Sequence, residues 1–368
     1  MIRQSNYLMR SARRRAQFAV AALAAAALIG VSACSSGGSA SQASGGSSSA
    51  SSSSQSLQTI SIAIPAAIVD YVDLYIAEQQ GFFKAQGLNV PITIAGGNLV
   101  NSLVSGQVDL INYNMGGMIA PSLQGKPTTI IYGGEAGATS GIGWGRAGVN
   151  SLSDCKRVGT NPQGSGQNTW ANIYKGLLGA NYTVVPFTTP TAMLAALAAG
   201  SIDCSVFAYP GVASLVDNGT IHCILNPTGI PALPKTPVPA GITTNFVGGG
   251  YAGLSSTIKA DSGSIVKFLK AIRQADKYIE STPAATVAAN LLTLNDFKTN
   301  KAQDLTNSVK VEDADLAPDQ GFITSAAWTN TLAYNAKGGS IPSATNPIVS
   351  YSNRVDMSYL TQATGGQG

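Results

Sequence analysis

The sequence predicts an α/β protein with two doubly wound lobes that are joined by two crossing strands. Two observations carry this prediction: short apolar strands alternate with helical segments from residue 57 onward, and part of this pattern recurs ninety-four residues later. Alternation of strands with helices is typical of a mostly parallel sheet covered by helices on both faces. The chain has 368 residues, enough for two such lobes after an N-terminal leader.

The N-terminal 56 residues are predicted to lie outside the lobes. Residues 1–33 begin with basic side chains and continue as an apolar run from Phe18 to Val31, the pattern of a secretory signal peptide. Val31-Ser32-Ala33-Cys34 resembles the bacterial lipobox, so Cys34 is the predicted lipidation site. Ordinary signal cleavage beside an incidental cysteine is the alternative. Residues 34–56 contain, after that cysteine, only Ser, Gly, Ala and Gln, which predicts a flexible tether.

Residues 57–134 are predicted to form the first part of lobe I. The strand signals are period-two alternation and Pro or Gly boundaries, and the helix signals are apolar faces. In order, they predict a strand over 59–64, a helix over 73–86, a strand over 91–94, a short helix to 106, a strand over 109–113 and a helix over 116–124.

Residues 135–245 are predicted to contain lobe II and the crossing strands. The predicted elements are a strand over 157–160, a helix over 167–178, a strand over 183–187, a helix to 200, and strands over 204–207 and 221–225. Residues 246–355 then return to lobe I, with a long helix over 264–280. Residues 356–368 are polar and are predicted to be a disordered tail.

An internal repeat supports one plan for both lobes. Residues 103–125 align without a gap on residues 197–219. Five matches fall at predicted element boundaries, namely Gly106 with Gly200, Asp109 with Asp203, Tyr113 with Phe207, Gly117 with Gly211, and Gly125 with Gly219. The two aspartates precede strands at the end away from a cleft, so their predicted role is structural.

Three cysteines lie in the folded part, Cys155, Cys204 and Cys223. An oxidising compartment allows one pair and leaves one thiol over. The first and third strands of a doubly wound sheet are neighbours, which favours Cys155 with Cys204. Three unpaired thiols are the alternative.

The stretch Leu74-Tyr75-Ile76-Ala77-Glu78-Gln79-Gln80-Gly81-Phe82-Phe83-Lys84, followed by Gly87-Leu88-Asn89-Val90, resembles the periplasmic solute-binding proteins of ABC importers. It is similar to the NMT1/THI5-like branch, which handles nitrate, sulfonates, taurine and thiamine precursors. The motif "L-x-x-G-x-[VI]-D" occurs twice, ending at Asp109 and Asp203. The resemblance covers about residues 57–300. It implies a type II periplasmic-binding-protein fold that closes on a ligand and delivers it to a membrane permease.

The predicted binding site lies where strands end, because doubly wound lobes bind ligands outside the carboxyl ends of their strands and near helix N-termini. Gly164-Ser165-Gly166 precedes a helix and offers free N–H groups, although an ordinary N-cap is an equal alternative. The predicted ligand-binding residues are Asp70, Tyr71, Asn98, Tyr113, Asn114, Gly116, Glu135, Ser165, Gly166, Gln167, Thr189 and Tyr209.

The charge of these segments favours a neutral or cationic ligand. None of the strand-end loops holds Lys or Arg, whereas Asp70 lies in one of them and Glu135 and Arg146 lie near the crossing strands. Aromatic residues that could line the cleft are Tyr71, Tyr113, Trp144, Trp170, Phe207, Tyr209 and Tyr251. Stacking and cation–π contacts suit a pyrimidine-like or amine-bearing nutrient. An oxyanion held by helix N-termini is the alternative within the same family.

Composition restricts the range of functions. The formal charge of +4 includes five arginines among the first fifteen residues, so the mature chain has no basic surface for nucleic acid. A single histidine, His222, argues against a His-based metal site or triad, and no cofactor is predicted. The expected protein is a lipid-anchored, extracytoplasmic monomer whose partner is an ABC permease. The sequence also allows a ligand-sensing lipoprotein that transports nothing, or a thiamine-pyrimidine synthase-like enzyme.

Overall fold

The computed structural model describes residues 56–228, 230–242 and 245–366. The predicted signal peptide, the predicted lipidation site Cys34 and nearly all of the predicted tether lie outside the described residues. Residues from Ser54 onward form one compact unit, and the fold below belongs to it.

The strands are two to eight residues long. Their bounds are β1 Gln58–Thr59, β2 Ile62–Ile64, β3 Leu88–Asn89, β4 Ile92–Ile94, β5 Leu110–Asn114, β6 Thr128–Glu135, β7 Gly143–Arg146, β8 Arg157–Thr160, β9 Thr183–Pro186, β10 Cys204–Val206, β11 Ile221–Leu225 and β12 Gly249–Leu254.

The helices alternate with strands up to residue 225 and then dominate the C-terminal third. Their bounds are α1 Val72–Gln79, α2 Phe82–Ala85, α3 Leu99–Val104, α4 Met115–Leu123, α5 Gly166–Leu178, α6 Pro190–Ala198, α7 Tyr209–Asp217, α8 Ser255–Ala260, α9 Ser262–Ser281, α10 Ala284–Leu292, α11 Ala302–Asp313, α12 Ser325–Lys337, α13 Tyr351–Arg354 and α14 Ser358–Ala363.

Two five-stranded sheets define the lobes and share one topology. Lobe I has the order β4-β2-β5-β12-β6, and lobe II has the order β9-β8-β10-β7-β11. In each sheet the first three strands are parallel. The fourth strand is antiparallel to both of its neighbours. That fourth strand is the one that arrives from the other lobe, so the α/β architecture with two crossing segments is confirmed.

The internal repeat has the same geometry in both lobes. Helices α4 and α7 begin and end at residues that are ninety-four positions apart. The glycines before β5 and β10, Gly106 and Gly200, have φ angles of 71° and 73°. Those after α4 and α7, Gly125 and Gly219, have φ angles of 78° and 77°. Only glycine adopts this left-handed conformation without strain, which explains why these positions match in the sequence.

Both repeat aspartates fix the start of a neighbouring strand. Asp109 Oδ2 accepts hydrogen bonds from the N–H and Oγ of Ser61, at 2.8 and 2.7 Å. Asp203 Oδ2 accepts from the N–H groups of Lys156 and Arg157, at 2.9 and 3.0 Å. Their role is structural.

Apolar side chains cover each sheet on both faces. In lobe I, one cluster packs α1, α9 and α10 on the sheet and a second packs α3, α4 and α12. In lobe II, α5 covers one face, and α6 and α7 cover the other. The predicted apolar face of α9, with Ile265, Phe268, Leu269 and Ile272, is fully buried. This packing holds the strand ends of the two lobes in place.

Some predicted elements differ from the structure. The helix expected over 73–86 is broken into α1 and α2 at Gly81, whose φ of 74° no helix interior allows. The tail expected to be disordered contains α14, and Leu360 inserts fully buried into the lobe I core. The prediction failed because it rested on the polar composition of this segment and did not consider the burial of Leu360.

Cysteines 155 and 204 form a disulfide with a Cα–Cα distance of 6.1 Å. They meet because β8 and β10 are parallel neighbours, with Cys204 opposite Val158. Cys223 is a free thiol on β11, and burial raises its pKa to about 11. Within the described residues, no helix is both long and apolar enough to cross a membrane.

Candidate ligand-binding cleft

A cavity of about 110 Å³ lies between the two lobes, at the ends of their parallel strands. Lobe I contributes the loop after β2, the glycine turn after β4, the end of β5 and the last residue of β6. Lobe II contributes the loops after β8, β9 and β10. This is where a doubly wound fold brings helix N-termini and free backbone groups together.

Eight of the twelve predicted site residues line this cavity. They are Asp70, Tyr71, Tyr113, Asn114, Glu135, Ser165, Gly166 and Gln167. The structure thus places carboxyl, phenol, amide and hydroxyl groups around one space.

Four predicted residues lie outside the cavity. Asn98 and Thr189 are exposed in their turns, and Thr189 instead caps α6 by accepting from the N–H of Ala192 at 3.3 Å. Gly116 is buried against Asn335 of α12. Tyr209 packs inside lobe II, with its ring centroid 5.9 Å from that of Trp144, and its hydroxyl donates to Asp217 at 2.6 Å. Of these four, Thr189 has a capping role and Tyr209 a packing role.

Eleven lining residues were not among the twelve predicted ligand-binding residues, although Phe207 was among the aromatic residues named as possible cleft-lining groups. They are Pro65, Ala66, Ile68, Gly96, Gly97, Ser140, Asn161, Pro162, Thr188, Pro190 and Phe207. Phe207 had a clear signal, because the repeat aligns it with Tyr113. Ser140 lies in the segment between β6 and β7, which carried no strand-end signal.

Two aromatic rings face the cleft from equivalent places in the two lobes. Tyr113 packs on Gly117 of α4, and Phe207 packs on Gly211 of α7; a Cβ at either glycine would collide with the ring. With Tyr71 they make three cavity-lining rings. Phe207 and Tyr71 are themselves largely buried, at the edge of the cores. The remaining candidate aromatics, Trp144, Trp170, Tyr209 and Tyr251, are buried in the cores and do not line the cavity.

The N-terminus of α5 opens into the cleft from lobe II. Ser165 is buried and caps the helix, with its hydroxyl accepting from the N–H of Asn168 at 3.2 Å. Gly166 and Gln167 form the first turn and line the cavity. Asn114 caps α4 in the same manner from lobe I, accepting from the N–H of Gly117 at 2.9 Å. Both helix starts are therefore held by a polar side chain beside the cavity.

The cavity wall is acidic in its composition. Asp70 and Glu135 are its ionisable acids, and no Lys, Arg or His of the described chain lines it. Burial raises the pKa of Asp70 to about 7. A backbone hydrogen bond opposes this rise, and the carboxylate of Asp315 adds to it. Burial also raises the pKa of Glu135 well above its ordinary value, with added repulsion from Asp315, Asp70 and Asp73.

Two further acids lie behind the cavity wall and were not predicted. Glu312 lies in the last turn of α11 and Asp315 follows that helix; both are at least 95% buried. Asp315 Oδ2 accepts from the hydroxyl of Thr139 at 2.6 Å, which ties it to the crossing segment. The two acids are three residues apart, a spacing that places side chains on one side of a helical segment. This spacing is the sequence feature from which the pair could have been predicted.

Comparisons with known proteins agree with this architecture. The family model described as "NMT1/THI5 like" matches residues 69–286, and the chain therefore belongs to the NMT1/THI5-like family. No curated protein matches the sequence. Many solved structures do match, and those described below share the periplasmic-binding-protein fold.

Three of these structures show how similar the matched proteins are to this chain. A protein from Bordetella bronchiseptica RB50 has 20% identity and a TM-score of 0.68, over 83% of this chain and 97% of that one. The alkanesulfonate-binding protein SsuA from Xanthomonas axonopodis pv. citri, bound to MOPS, has 16% identity and a TM-score of 0.62, over 78% and 95%. The periplasmic nitrate-binding protein NrtA from Synechocystis PCC 6803 has 12% identity and a TM-score of 0.64, over 84% and 89%.

Proposed function

We propose that this protein is the solute-binding component of an ABC importer, which captures a small neutral or cationic nutrient between its lobes and delivers it to a membrane permease. One observation carries the choice of ligand class: the described cavity wall holds two carboxyl groups and three aromatic rings but no basic side chain. The family, the fold and the position of the cavity support the binding role. A pyrimidine-like or amine-bearing solute fits this wall.

An anion of the nitrate or sulfonate type is the second candidate. The N-terminus of α5 favours it, because the first-turn N–H groups of a thirteen-residue helix attract negative charge. Structures with the same fold include proteins whose names state that they bind nitrate or alkanesulfonate. Against this candidate, any anion in the cavity would lie near Asp70 and Glu135 without a basic residue of the described wall to offset them.

We also propose an extracytoplasmic location with a lipid anchor at Cys34. The basic leader, the apolar run and the lipobox-like Val31-Ser32-Ala33-Cys34 support it. The disulfide between Cys155 and Cys204 fits an oxidising compartment. A Cys34→Ser variant is expected to leave the membrane fraction and lose incorporation of labelled fatty acid. Full membrane retention of that variant would contradict the anchor.

The proposal contains no catalytic step. His222 is exposed on β11, in lobe II, and does not line the cavity. A binding protein returns its ligand unchanged. Recovery of an altered compound after incubation would support the synthase-like alternative instead, and binding without any effect on uptake in a deletion strain would support a sensor.

The test is mass spectrometry of small molecules that the purified full-length protein releases on denaturation, followed by a thermal-shift panel of amines, pyrimidines, sulfonates and nitrate. One stoichiometric compound is expected, and a ligand at one hundred times its Kd should stabilise the fold by about 2.7 kcal/mol. No release and no shift by any class would contradict the proposal.

A matched pair of variants locates the binding. Gly97 lines the cavity, and a Cβ there meets no atom within 4 Å, so Gly97→Trp should fill the cavity while leaving the fold intact. Gly176 has the same free space on α5 but lies outside the cavity. Gly97→Trp is expected to abolish the shift, and Gly176→Trp is expected to retain it. Equal binding by both variants would place the site elsewhere.

A further inference from the structure

Four carboxyl groups from separate parts of the chain converge beside the interlobe cavity. Asp70 follows β2, Glu135 ends β6, Glu312 lies in the last turn of α11, and Asp315 follows that helix. We call these four residues the carboxyl cluster. The first two line the cavity, and the other two are buried behind it. Burial raises the pKa of Glu135 and Glu312, and repulsion between the charges of the cluster adds to this rise.

Two oxygens of the cluster lack a hydrogen-bond partner among the residues that the structure describes. Asp70 Oδ1 and Glu312 Oε1 are both shielded from solvent, and neither makes a hydrogen bond within the described chain. Glu312 is only 2% exposed. A buried carboxylate without a donor or a counter-charge carries a large desolvation cost. These oxygens therefore call for either bound protons or a positive group.

No cation of the described chain supplies that positive group. Among the described residues, the one salt bridge joins Arg273 and Asp276 at 2.9 Å, so this guanidinium already has a carboxylate partner. The described part of the chain also lacks any group of three or more His, Cys, Asp and Glu side chains placed to hold a metal ion. The four carboxyl groups are therefore not arranged as a metal site.

We propose that the carboxyl cluster binds the positively charged nitrogen of the solute and releases protons when that nitrogen arrives. The solute class is an organic cation, with an ammonium or protonated ring nitrogen on an apolar or aromatic body. Its body would lie against Tyr71, Tyr113 and Phe207. This inference deepens the proposed function and rests on it.

The proton balance follows from the neighbourhood of the cluster. In the solute-free protein, burial and like charges keep protons on carboxyl oxygens, and the pKa of Asp70 is about 7. A cation nearby favours the ionised form, so an O–H group loses its proton to solvent while the solute keeps its own. The other ionisable groups that face the cluster are Asp73, Tyr71, Tyr113 and Tyr334, and none of them brings positive charge.

The test is isothermal titration of the full chain in detergent with benzylamine, tetramethylammonium and putrescine, between pH 5 and pH 8. Benzyl alcohol is the neutral match for benzylamine, and benzenesulfonate is the anionic one. At least one cation is expected to bind. Its affinity should rise as the pH is raised towards 7, by up to about tenfold per pH unit for each proton released. Buffers with different ionisation enthalpies should report that proton.

Variants separate the cluster from the rest of the protein. Asp70→Asn and Glu135→Gln are each expected to weaken cation binding at least about tenfold at pH 8 and to reduce proton release, the effect of losing one close charge partner. Asp313→Asn makes the same change on an exposed residue beside Glu312 and should bind like the wild type. Two separate variants guard against failure of one to fold.

The outcomes are distinct. Failure of all three cations to bind, or binding that neither variant changes, overturns the inference. If benzenesulfonate binds instead and Gly97→Trp abolishes its binding, the cleft binds solutes and only the cation assignment fails. If no probe binds and no small molecule is released from the purified protein, the proposed function fails as well.

Discussion

Gly137 and Gly248 lie in backbone contact at the point where the two segments that join the lobes pass each other. A Cβ on either residue would collide with the other glycine's backbone, and Gly137 has a φ of 82°. The neighbouring N–H of Gly248 donates to the carbonyl of Glu135 at 3.0 Å, so the contact also fixes a cavity-lining residue. The glycine pair thus links the connection between the lobes to the geometry of the cleft.

We predict that Gly137→Ala lowers the free energy of unfolding by about 2–4 kcal/mol, since it adds both a backbone collision and a left-handed alanine. Chemical denaturation measures this. Gly176→Ala is the control, because its site in α5 is open, and it should be neutral or stabilise by up to about 1 kcal/mol. A Gly137→Ala protein as stable as the wild type would show that the segments are not in contact.

The paired aspartates of the repeat give a second prediction. Asp109→Asn and Asp203→Asn should each destabilise the fold by about 1–2 kcal/mol, because each removes a charged acceptor of two hydrogen bonds. They hold different sheets, so the double variant should lose the sum of the two within about 0.5 kcal/mol. Denaturant midpoints test this, and a loss confined to one variant would refute the equivalence of the two positions.

The repeat was readable in the sequence because its signals are local. A left-handed glycine is required by the turn in which it lies, as at Gly106. The aspartates contact residues far along the chain, as Asp109 does Ser61, but their fixed position after that glycine makes them visible in the motif. The same alignment places Phe207 with Tyr113, and Tyr209 with buried Met115. If the alignment had been used to choose the site residues, it would have selected Phe207 in place of Tyr209.

The carboxyl cluster was not readable in full, because long-range packing creates it. Glu312 and Asp315 lie in a polar helical stretch, and only the docking of α11 beside the loop after β2 buries them near Asp70. Strand β7 was also missed, since Gly143–Arg146 has no alternation and pairs with β10 and β11. Such features depend on partners far along the chain.

The cluster makes stability depend on pH. The folded-state pKa of Asp70, about 7, lies above its ordinary value of 3.8, so the folded protein binds the proton more tightly than the unfolded chain. The contribution of Asp70 to the free energy of unfolding is therefore complete below about pH 4, and it is lost as pH rises towards 7. We expect the solute-free protein to be at least about 1 kcal/mol less stable at pH 8 than at pH 5.

Replacement of the titrating group is the check on this pH dependence. Asp70→Asn should flatten the fall in Tm between pH 5 and pH 8, whereas Asp313→Asn should keep the wild-type slope. A wild-type Tm that rises over this range would mean that the acids are ionised and stabilised in the folded state.

The disulfide gives a further prediction. Its half-cystines are 49 residues apart, a loop for which the chain-entropy model gives about 4 kcal/mol. Cys204→Ala should therefore lower the free energy of unfolding by about 2–4 kcal/mol, and added reductant should destabilise the wild type but not this variant. Cys223→Ala removes only the free thiol and should keep the response to reductant. Equal stability with and without reductant in the wild type would contradict the pairing.

The most direct test of the central claim is a crystal structure of the protein with its retained solute. We predict density in the cavity between the lobes, with a positively charged nitrogen within hydrogen-bonding distance of Asp70 or Glu135 and the rest of the molecule against Tyr113 and Phe207. An anionic group seated on the N-terminus of α5, or a solute outside this cavity, would contradict the account.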